Sequence, residues 1–369
     1  MRILVVRLRQ IGDVVFTTPA LSGLRQHFPD AFIAYLVEPA AAPVVARHPA
    51  IDELIVAPPR ARGLAGVRAE YALIRQLRQR HFDLVLDFHS GPRASLLTWL
   101  SGAPRRVGYT VAGRSWMYTT AVHRARDLRP RHSVENQWDL LTALGVPPPD
   151  RLRFPVTMPV DPEVARTVDA RLASAGVPAA AEGAGEGPGA ARLIVMHVSA
   201  GNPFRRWPIP AFATVARQLA DDDRRHRIIV TSGPSERDAA AQVIDAARAA
   251  LPADRAVQVL SCGEFSLAEL RALLERTSLY IGGDSGPMHV AATSHVPMVS
   301  LYGPTLPARS APWRDARWPA EAVEVEGLPC RPCEQRVCVP GDFRCLTGTP
   351  PEAVVAAARR ALAQVTRVR

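Results

Sequence analysis

Residues 282–289, with the sequence GGDSGPMH, combine bare backbone with polar side chains in a way that suits an anionic ligand. Residues 278–281 before them (SLYI) predict a short buried strand, and residues 288–293 predict a small-residue helix. Glycines at the end of a strand let the main chain approach a phosphate closely, and Asp284 and His289 can bind phosphate or sugar hydroxyls. The alternative is a tight structural turn with Asp284 as a helix cap.

A second candidate for chemistry is Asp13, near the amino terminus. Residues 1–8 form an apolar run of strand length, and residues 9–13 interrupt it before a helical pattern that extends to about His27. A carboxylate at the end of a strand could act as a general base that takes a proton from an attacking hydroxyl. The alternative is a helix N-cap, a position that Asp favours and that would weaken it as a base.

Two segments of the second half also follow predicted strands. Residues 197–208 (HVSAGNPFRRWP) contain two arginines, of which Arg205 can bind a phosphate through two parallel hydrogen bonds. Residues 231–236 (TSGPSE) form a glycine turn, after which Glu236 could accept hydrogen bonds from a ribose or instead stabilise a helix N-terminus. Ligands of open α/β sheets bind outside the carboxyl ends of the strands, so these loops are expected to converge on one site.

The elements that must position these residues alternate between strand and helix in both halves of the chain. This alternation predicts an α/β protein with parallel, doubly wound sheets. The clearest helix spans residues 71–80, and residues 178–190, rich in Ala, Gly, Glu and Pro, predict a flexible linker or a surface insertion. The predicted strands lie near residue 3 and at 32–37, 53–56, 84–87, 106–109, 193–197, 227–231, 256–260, 279–281 and 298–301.

Length and hydropathy narrow the class of protein. A chain of 369 residues is too long for one compact core, so we expect two domains. Its 47% hydrophobic and 22% charged residues are typical of a globular protein. No apolar run reaches the roughly 20 residues that span a bilayer. The first residues form a strand rather than an export signal, so we expect a cytoplasmic protein.

The charge balance suggests an anionic partner. The net charge is +10, and all 45 basic residues are arginine, so a phosphate contact must come from Arg or from the backbone. Nucleic acid is disfavoured because the arginines are dispersed and neither zinc-finger spacing nor an aromatic RNA-binding strand is present. A phosphorylated glycolipid or an acidic membrane surface remains as the expected partner.

Four of the five cysteines form a cluster at Cys330, Cys333, Cys338 and Cys345. Four thiolates at short spacing could hold a structural zinc ion, but the paired CxxC pattern of a strong zinc site is absent. A disulfide is disfavoured in the cytoplasm. The sequence therefore leaves open whether this cluster binds zinc.

Three motifs in this order resemble the heptosyltransferases of glycosyltransferase family 9: residues 7–20 (RLRQIGDVVFTTPA), 205–208 (RRWP) and 284–289 (DSGPMH). The resemblance covers nearly the whole chain. It implies a GT-B fold, in which two Rossmann-like domains face each other across a cleft and a C-terminal helix returns to the first domain. The implied boundaries are residues 1–160 for an acceptor domain, 161–190 for an interdomain helix and linker, 191–348 for a donor domain and 349–369 for the C-terminal helix.

The resemblance also implies an activity. The protein would be an inverting transferase that moves L-glycero-D-manno-heptose from ADP-heptose to the Kdo or the first heptose of the lipopolysaccharide inner core. It would work without a metal or cofactor, as a peripheral protein at the cytoplasmic face of the inner membrane. Departing pyrophosphate would be stabilised by arginine and by backbone dipoles.

The same resemblance assigns residues to these roles. Asp13 matches the catalytic base. Relatives often have Lys before the tryptophan, where this chain has Arg206, so the sequence leaves open which of the two adjacent arginines contacts phosphate. The implied donor-binding residues are Ser199, Arg205, Arg206, Glu236, Asp284, Ser285, Gly286, Pro287, Met288 and His289. The implied acceptor-binding residues are Arg7, Arg9, Gly12 and two arginines of a predicted loop, Arg105 and Arg106.

Other functions are compatible with two Rossmann-like domains. One is transfer of a different nucleotide sugar. Another is a nucleotide-sugar 2-epimerase, which needs acid and base carboxylates close to the sugar and uses no lipid acceptor. A third is a noncatalytic sugar-nucleotide or glycolipid-binding module, in which Asp13 would matter for folding alone.

Overall fold

A computed structural model describes residues 1–124, 131–177 and 190–368 of the chain. The described residues divide into two compact units, Met1–Pro159 and Val160–Arg369. Nearly all of the predicted linker, residues 178–189, lies outside the described residues, as does residue 369.

The first unit is built on a six-stranded parallel sheet in the described part of the chain, with the order β3-β2-β1-β4-β5-β6. Its strands are β1 (Arg2–Val6), β2 (Phe32–Val37), β3 (Glu53–Val56), β4 (Leu84–Asp87), β5 (Arg105–Tyr109) and β6 (Thr120–Val122). Its helices are α1 (Ile11–Val15), α2 (Thr18–His27), α3 (Ala42–Val45), α4 (Gly63–Gln79), α5 (Pro92–Leu100) and α6 (Ser133–Thr142). A short 3-10 helix spans Ser115–Met117.

Central strands of this sheet are buried on both faces. In β1, the side chains of residues 3–6 are fully buried. Helices cover both faces of a parallel sheet, so such a strand reads as a continuous apolar run rather than as an alternating pattern. On one face, Leu77 of α4 and Leu97 of α5 pack in the same buried cluster as Leu4 and Val6 of β1.

The second unit repeats this architecture with the strand order β12-β11-β10-β7-β8-β9. Numbered from β7, this is again the order 3-2-1-4-5-6 of doubly wound nucleotide-binding folds. Its strands are β7 (Arg192–His197), β8 (His226–Thr231), β9 (Val259–Leu260), β10 (Leu279–Gly283), β11 (Met298–Tyr302) and β12 (Ala320–Glu324). Its helices are α7 (Pro162–Ser174), α8 (Ile209–Asp222), α9 (Arg237–Ala249), α10 (Ala253–Ala256), α11 (Leu267–Leu274), α12 (Gly286–Ala291), α13 (Pro307–Ser310), α14 (Arg344–Thr347) and α15 (Pro351–Val368). Two 3-10 helices span Pro203–Arg205 and Pro234–Glu236.

Two predicted elements are divided or markedly shortened in the structure. The helix expected to reach His27 without a break is divided into α1 and α2, because Pro19 in the first turn of α2 has no N–H to continue the ladder. The strand expected at residues 256–260 is shorter: Ala256 ends α10, and the strand contains only Val259 and Leu260.

The C-terminal helix α15 packs within the second unit. Its apolar side contributes Val354, Val355, Ala357, Ala358 and Ala361 to the buried core of that unit. This side of α15 is buried against α8 and strands of the second sheet, so the helix belongs to the second unit. Helix α7, from the segment predicted as an interdomain connection, also lies in the second unit and packs against α11.

None of the helices in the described residues is both long enough and apolar enough to cross a bilayer.

Candidate functional site

Both sheets place predicted site residues at a topological switch point, where the strand order reverses. In the first sheet this point lies between β1 and β4, where Val6 and Asp87 are partners. In the second sheet it lies between β7 and β10, where His197 and Gly282 are partners. Ligands of doubly wound sheets bind beside this point, outside the carboxyl ends of the strands. Each unit therefore has one candidate binding edge.

Asp13 is one of two carboxylates at the first candidate edge. It is the third residue of α1, whose N-cap is Gln10, so the N-cap alternative for Asp13 is wrong. Its carboxylate forms an ion pair with the buried Arg7, which also donates to the carbonyl of Phe88. The Asp13 side chain is 38% exposed. Arg7 thus holds a carboxylate that solvent and a substrate can still reach.

Asp87 is a second carboxylate at this switch point, and sequence reasoning did not identify it as a site residue. It is fully buried and accepts hydrogen bonds from the backbone N–H of His89 (2.9 Å) and Ser90 (2.7 Å) and from the Tyr118 hydroxyl (2.7 Å). Burial raises the pKa of Asp87, while these hydrogen bonds and the nearby Arg7 oppose that rise. Asp87 therefore orders the loop after β4 beside Arg7.

Two more of the predicted acceptor-binding residues lie at this edge. Arg9 is exposed in the connection after β1, and Gly12 is buried in α1. The Arg9 carbonyl lies 3.2 Å from Nδ1 of His89, which links the connections that follow β1 and β4. Arg7, Arg9, Gly12 and Asp13 are thus brought together by the turn from β1 into α1.

Arg105 and Arg106 lie elsewhere in the first unit. They begin strand β5 and do not form a loop, so the predicted loop is wrong. Because the sheet is parallel, the start of a strand lies at the edge opposite Asp13. The Arg106 guanidinium is engaged there, donating to the carbonyls of Ala103 (2.6 Å) and Met117 (2.8 Å).

His197 joins two loops of the second candidate edge. Its Nδ1 lies 3.0 Å from Thr231 Oγ1 at the end of β8, and its Nε2 lies 3.0 Å from Ser199 Oγ. Ser199 Oγ in turn accepts a hydrogen bond from the Gly233 N–H at 2.8 Å. Burial lowers the pKa of His197 to about 4, so the imidazole is neutral at pH 7. Ser199 therefore connects the loops after β7 and β8.

This buried histidine predicts an acid-dependent loss of stability. Above its ordinary pKa of 6.5, His197 is neutral in both states; below that pH the unfolded chain takes up a proton that the folded chain refuses down to about pH 4. The free energy of unfolding should therefore fall between these pH values, by on the order of 3 kcal/mol from this residue. Urea unfolding near neutral pH and near the lower value measures the loss, which should be smaller in His197→Gln. Equal losses in the variant and the parent would contradict this role.

Asp284 follows β10 directly and is 2% exposed. Its Oδ2 accepts a hydrogen bond from Thr305 Oγ1 at 2.6 Å and lies 3.3 Å from Arg205 Nη1, while its Oδ1 lies 3.4 Å from His289 Nε2. Burial alone would raise the pKa of Asp284, but His289, Arg205 and Thr305 together hold it at about 2. Asp284 is thus an ionised internal anchor that positions Arg205 and His289.

The two adjacent arginines have different partners. Arg205 donates through Nη1 to the Asp284 carbonyl at 3.0 Å and through Nε to Gln335 Oε1 at 2.7 Å. Arg206 pairs instead with the buried Glu236, with 2.5 Å between Nη2 and Oε1. Arg205 is therefore attached to the turn after β10, and Arg206 to the loop after β8.

The rest of the predicted donor loop forms the start of α12. The N-cap of this helix is Ser285, so the alternative of Asp284 as a cap is wrong. A Cβ atom at Gly283 would lie 3.2 Å from the Arg205 carbonyl, so glycine permits this close approach of the two loops. Gly286 and Pro287 are half-buried, whereas Met288 and His289 are buried.

Gln335 comes from the cysteine-rich segment and was not predicted as a site residue. Its Oε1 also accepts a hydrogen bond from Asn202 Nδ2 at 2.9 Å, so it supports the loop that carries Arg205. No local pattern indicates this contact, since Gln335 and Arg205 are 130 positions apart. The cysteines around it are free thiols, and within the described ranges no group of three or more His, Cys, Asp or Glu side chains is arranged to hold a metal ion.

Comparison with known proteins relates the sequence of this chain to one family of glycosyltransferases. A sequence model of glycosyltransferase family 9 (heptosyltransferase) matches residues 70–342, more than half of the chain. Lipopolysaccharide heptosyltransferase 3 of Escherichia coli is 27% identical over 326 residues, which are 88% of this chain and 90% of that protein.

Solved structures with the same fold include two of interest. A family 9 glycosyltransferase of Veillonella parvula has a TM-score of 0.80 and 25% identity, covering 98% of this chain and 97% of that chain. E. coli heptosyltransferase WaaC with ADP-2-deoxy-2-fluoro heptose has a TM-score of 0.68 and 20% identity, covering 98% of this chain and 99% of that chain. The expected α/β GT-B fold with two Rossmann-like domains is confirmed.

Proposed function

The chain belongs to glycosyltransferase family 9, the heptosyltransferases, and on that basis we propose that it transfers heptose from ADP-heptose to the inner core of lipopolysaccharide. The heptose would be L-glycero-D-manno-heptose, and its acceptor the Kdo or the first heptose. The relatives named lipopolysaccharide heptosyltransferase support the acceptor class, and the relative solved with an ADP-heptose analogue supports the donor. The enzyme would act at the cytoplasmic face of the inner membrane.

The observation that carries this proposal in the first unit is the accessible carboxylate of Asp13, held by the buried Arg7 at the switch point. A carboxylate is ionised at neutral pH and can accept a proton from a hydroxyl group. The contact with Arg7 orients the carboxylate without burying it. We assign Asp13 as the general base, and Arg7, Arg9 and Gly12 to the acceptor side.

The reaction then proceeds by inversion. The acceptor hydroxyl oxygen forms a bond to the anomeric carbon of the heptose while the bond from that carbon to ADP breaks on the opposite face. The hydroxyl proton passes to Asp13, and ADP leaves with the bonding electron pair. The enzyme must stabilise the positive charge that develops on the sugar and the negative charge on the leaving pyrophosphate.

The second unit would bind the donor. Arg205 lies beside the turn after β10, where Gly283 permits close approach, and its partly exposed guanidinium, oriented by Asp284, would donate to a pyrophosphate group. Ser199 of the loop after β7, together with Gly233 and Glu236 of the loop after β8, would hold the nucleoside. The remaining donor residues proposed are those of the start of α12: Ser285, Gly286, Pro287, Met288 and His289.

The two arginines should differ in their contribution to donor binding. We expect Arg205→Ala to weaken ADP binding about tenfold to a hundredfold, because a charge-assisted hydrogen bond to phosphate contributes roughly 1.5–3 kcal/mol. Arg206→Ala should have a smaller effect, since that side chain is attached to the loop after β8 and not to the turn after β10. Calorimetric titration with ADP measures both. If both variants lose little ADP affinity, and to the same degree, the phosphate is bound by the backbone and not by either arginine.

The experiment that tests the function is acceptor-dependent release of ADP. The protein is incubated with ADP-heptose and either Kdo-lipid A or heptosylated core, and we expect ADP release and a heptosylated product with one of them. Other nucleotide sugars in place of ADP-heptose test donor choice. A change of the nucleotide sugar without any acceptor would instead support the epimerase alternative and contradict the proposal.

A further inference from the structure

Helices α4 and α5 lie side by side on one face of the first sheet. An ion pair between Glu70 of α4 and Arg93 of α5 joins them near the start of α5. Nearer their carboxyl ends, a Cβ atom at Gly102 would lie 4.0 Å from Arg78 Nε. The two helices therefore run parallel. They share an inner surface that packs in the core and an outer surface that faces away from the sheet.

The outer surface exposes large apolar side chains. Leu64, Val67 and Tyr71 of α4 and Leu96 and Trp99 of α5 are between 41% and 76% exposed. The exposed Trp116, from the 3-10 helix next to α5, contacts Trp99 edge to face, with ring centroids 5.2 Å apart. We call these six residues the apolar surface. Several large apolar side chains exposed on one face of a domain mark an interaction site.

Arginines lie among these apolar side chains. Arg68, Arg75 and Arg78 follow the spacing of Leu64 and Tyr71, at intervals of three or four residues, so all five lie on one side of α4. The three arginines are exposed, and within the described part of the chain their guanidinium groups form no ion pair. The one acidic residue of the two helices, Glu70, is already paired with Arg93. This surface is therefore both apolar and cationic.

The combination of apolar and cationic side chains indicates which partner this surface binds. Two copies of this chain that met through this surface would bring arginines against arginines, a repulsive arrangement. Anionic lipid complements the arginines instead, and tryptophan and tyrosine prefer the boundary between water and acyl chains. Arginine can keep its charge among headgroups while its methylene stem covers apolar surface.

The surface also lies near the candidate edge of the first unit. Glu70 is level with the start of α5, so residues 63–69 extend about 10 Å further towards the carboxyl edge of the sheet, the edge that carries Asp13. We propose that the outer surface of α4 and α5 docks on an anionic lipid bilayer. This inference rests on the proposed function, in which the acceptor is a glycolipid, and it identifies the surface through which the enzyme reaches it.

Vesicle binding by the full chain tests the inference. We expect the parent protein to sediment with vesicles of phosphatidylcholine and phosphatidylglycerol, and only weakly with phosphatidylcholine alone. Arg68→Gln/Arg75→Gln should weaken binding to the anionic vesicles about 25-fold, since each arginine near such a surface contributes a factor of about five. Tyr71→Ser/Trp99→Ser should weaken it at least about tenfold.

Matched variants control for the loss of exposed charge and apolar area. Arg166→Gln/Arg224→Gln removes two exposed arginines of the second unit, and Val257→Ser/Val337→Ser removes two exposed apolar side chains there. Both should bind vesicles as the parent does. The inference is overturned if the parent does not bind anionic vesicles, or if the control pairs lose as much binding as the test pairs. It is also overturned if Tyr71→Ser/Trp99→Ser changes self-association in sedimentation velocity and leaves vesicle binding intact.

Transfer assays separate this inference from the proposed function. With a water-soluble, deacylated acceptor, the docking variants, Arg68→Gln/Arg75→Gln and Tyr71→Ser/Trp99→Ser, should turn over as the parent does. With the acceptor embedded in anionic vesicles, they should turn over at least about tenfold more slowly, in proportion to lost binding. A parent that binds vesicles but transfers heptose to neither acceptor contradicts the proposed function and leaves the docking surface in place. A docking variant that transfers normally to embedded acceptor overturns the docking surface alone.

Discussion

Replacing Asp13 with asparagine should lower the rate of heptose transfer by about 100-fold to 10,000-fold, the usual loss when a general base is removed. Asparagine keeps an oxygen for the contact with Arg7, so the turn into α1 should keep its shape. It cannot take the proton of the acceptor hydroxyl. The measurement is turnover with saturating ADP-heptose and acceptor, together with calorimetric titration of ADP, whose affinity should not change.

Asp13→Ala should show the same loss of turnover and a lower stability, because it leaves the buried cation of Arg7 without its carboxylate partner. The matched control is Asp52→Ala. Asp52 is also a half-exposed carboxylate of the first unit paired with an arginine, Arg25, at 2.6 Å. The Asp52→Ala variant should turn over as fast as the parent protein. A near-normal rate in Asp13→Asn, or an equal loss of turnover in Asp52→Ala, would show that Asp13 is not the general base.

Replacing Asp284 with alanine should lower the free energy of unfolding by about 3–5 kcal/mol, because it removes one partner of a buried charge network. Arg205, His289 and Thr305 all contact this carboxylate. ADP affinity should fall as well, since Arg205 loses one of the groups that orient it. Urea unfolding followed by tryptophan fluorescence and ADP titration measure the two effects.

The control for Asp284 is Asp222→Ala, which breaks an exposed ion pair with Arg359 in the same unit. Exposed pairs contribute about 0–1 kcal/mol, so this variant should unfold almost as the parent does. Asp284→Asn, which keeps an acceptor for Thr305, should lie between the two. If Asp284→Ala unfolds with the same free energy as Asp222→Ala, the buried network is not an anchor.

Local patterns predicted most of the secondary structure. Buried parallel strands such as β1 and β7 are continuous apolar runs, and a run of this kind can be recognised from the local sequence alone. The edge strands β6 and β12 were missed because their side chains are partly exposed and polar. Strand β5 was predicted one residue too short, which contributed to the assignment of Arg105 and Arg106 to a loop.

Local sequence patterns are sufficient to predict two α/β domains and to place Asp13, Arg205 and Asp284 after strands, because apolar runs and glycine turns are local properties. Which strands are neighbours depends on contacts between distant parts of the chain. Strands pair through backbone N–H and C=O groups that nearly every residue carries, so the residue types of one strand do not name its partner. For that reason the position of Asp87 beside β1 could not be predicted from the sequence. The hydrogen bond from Arg205 to Gln335 joins residues 130 positions apart and was equally beyond any local pattern.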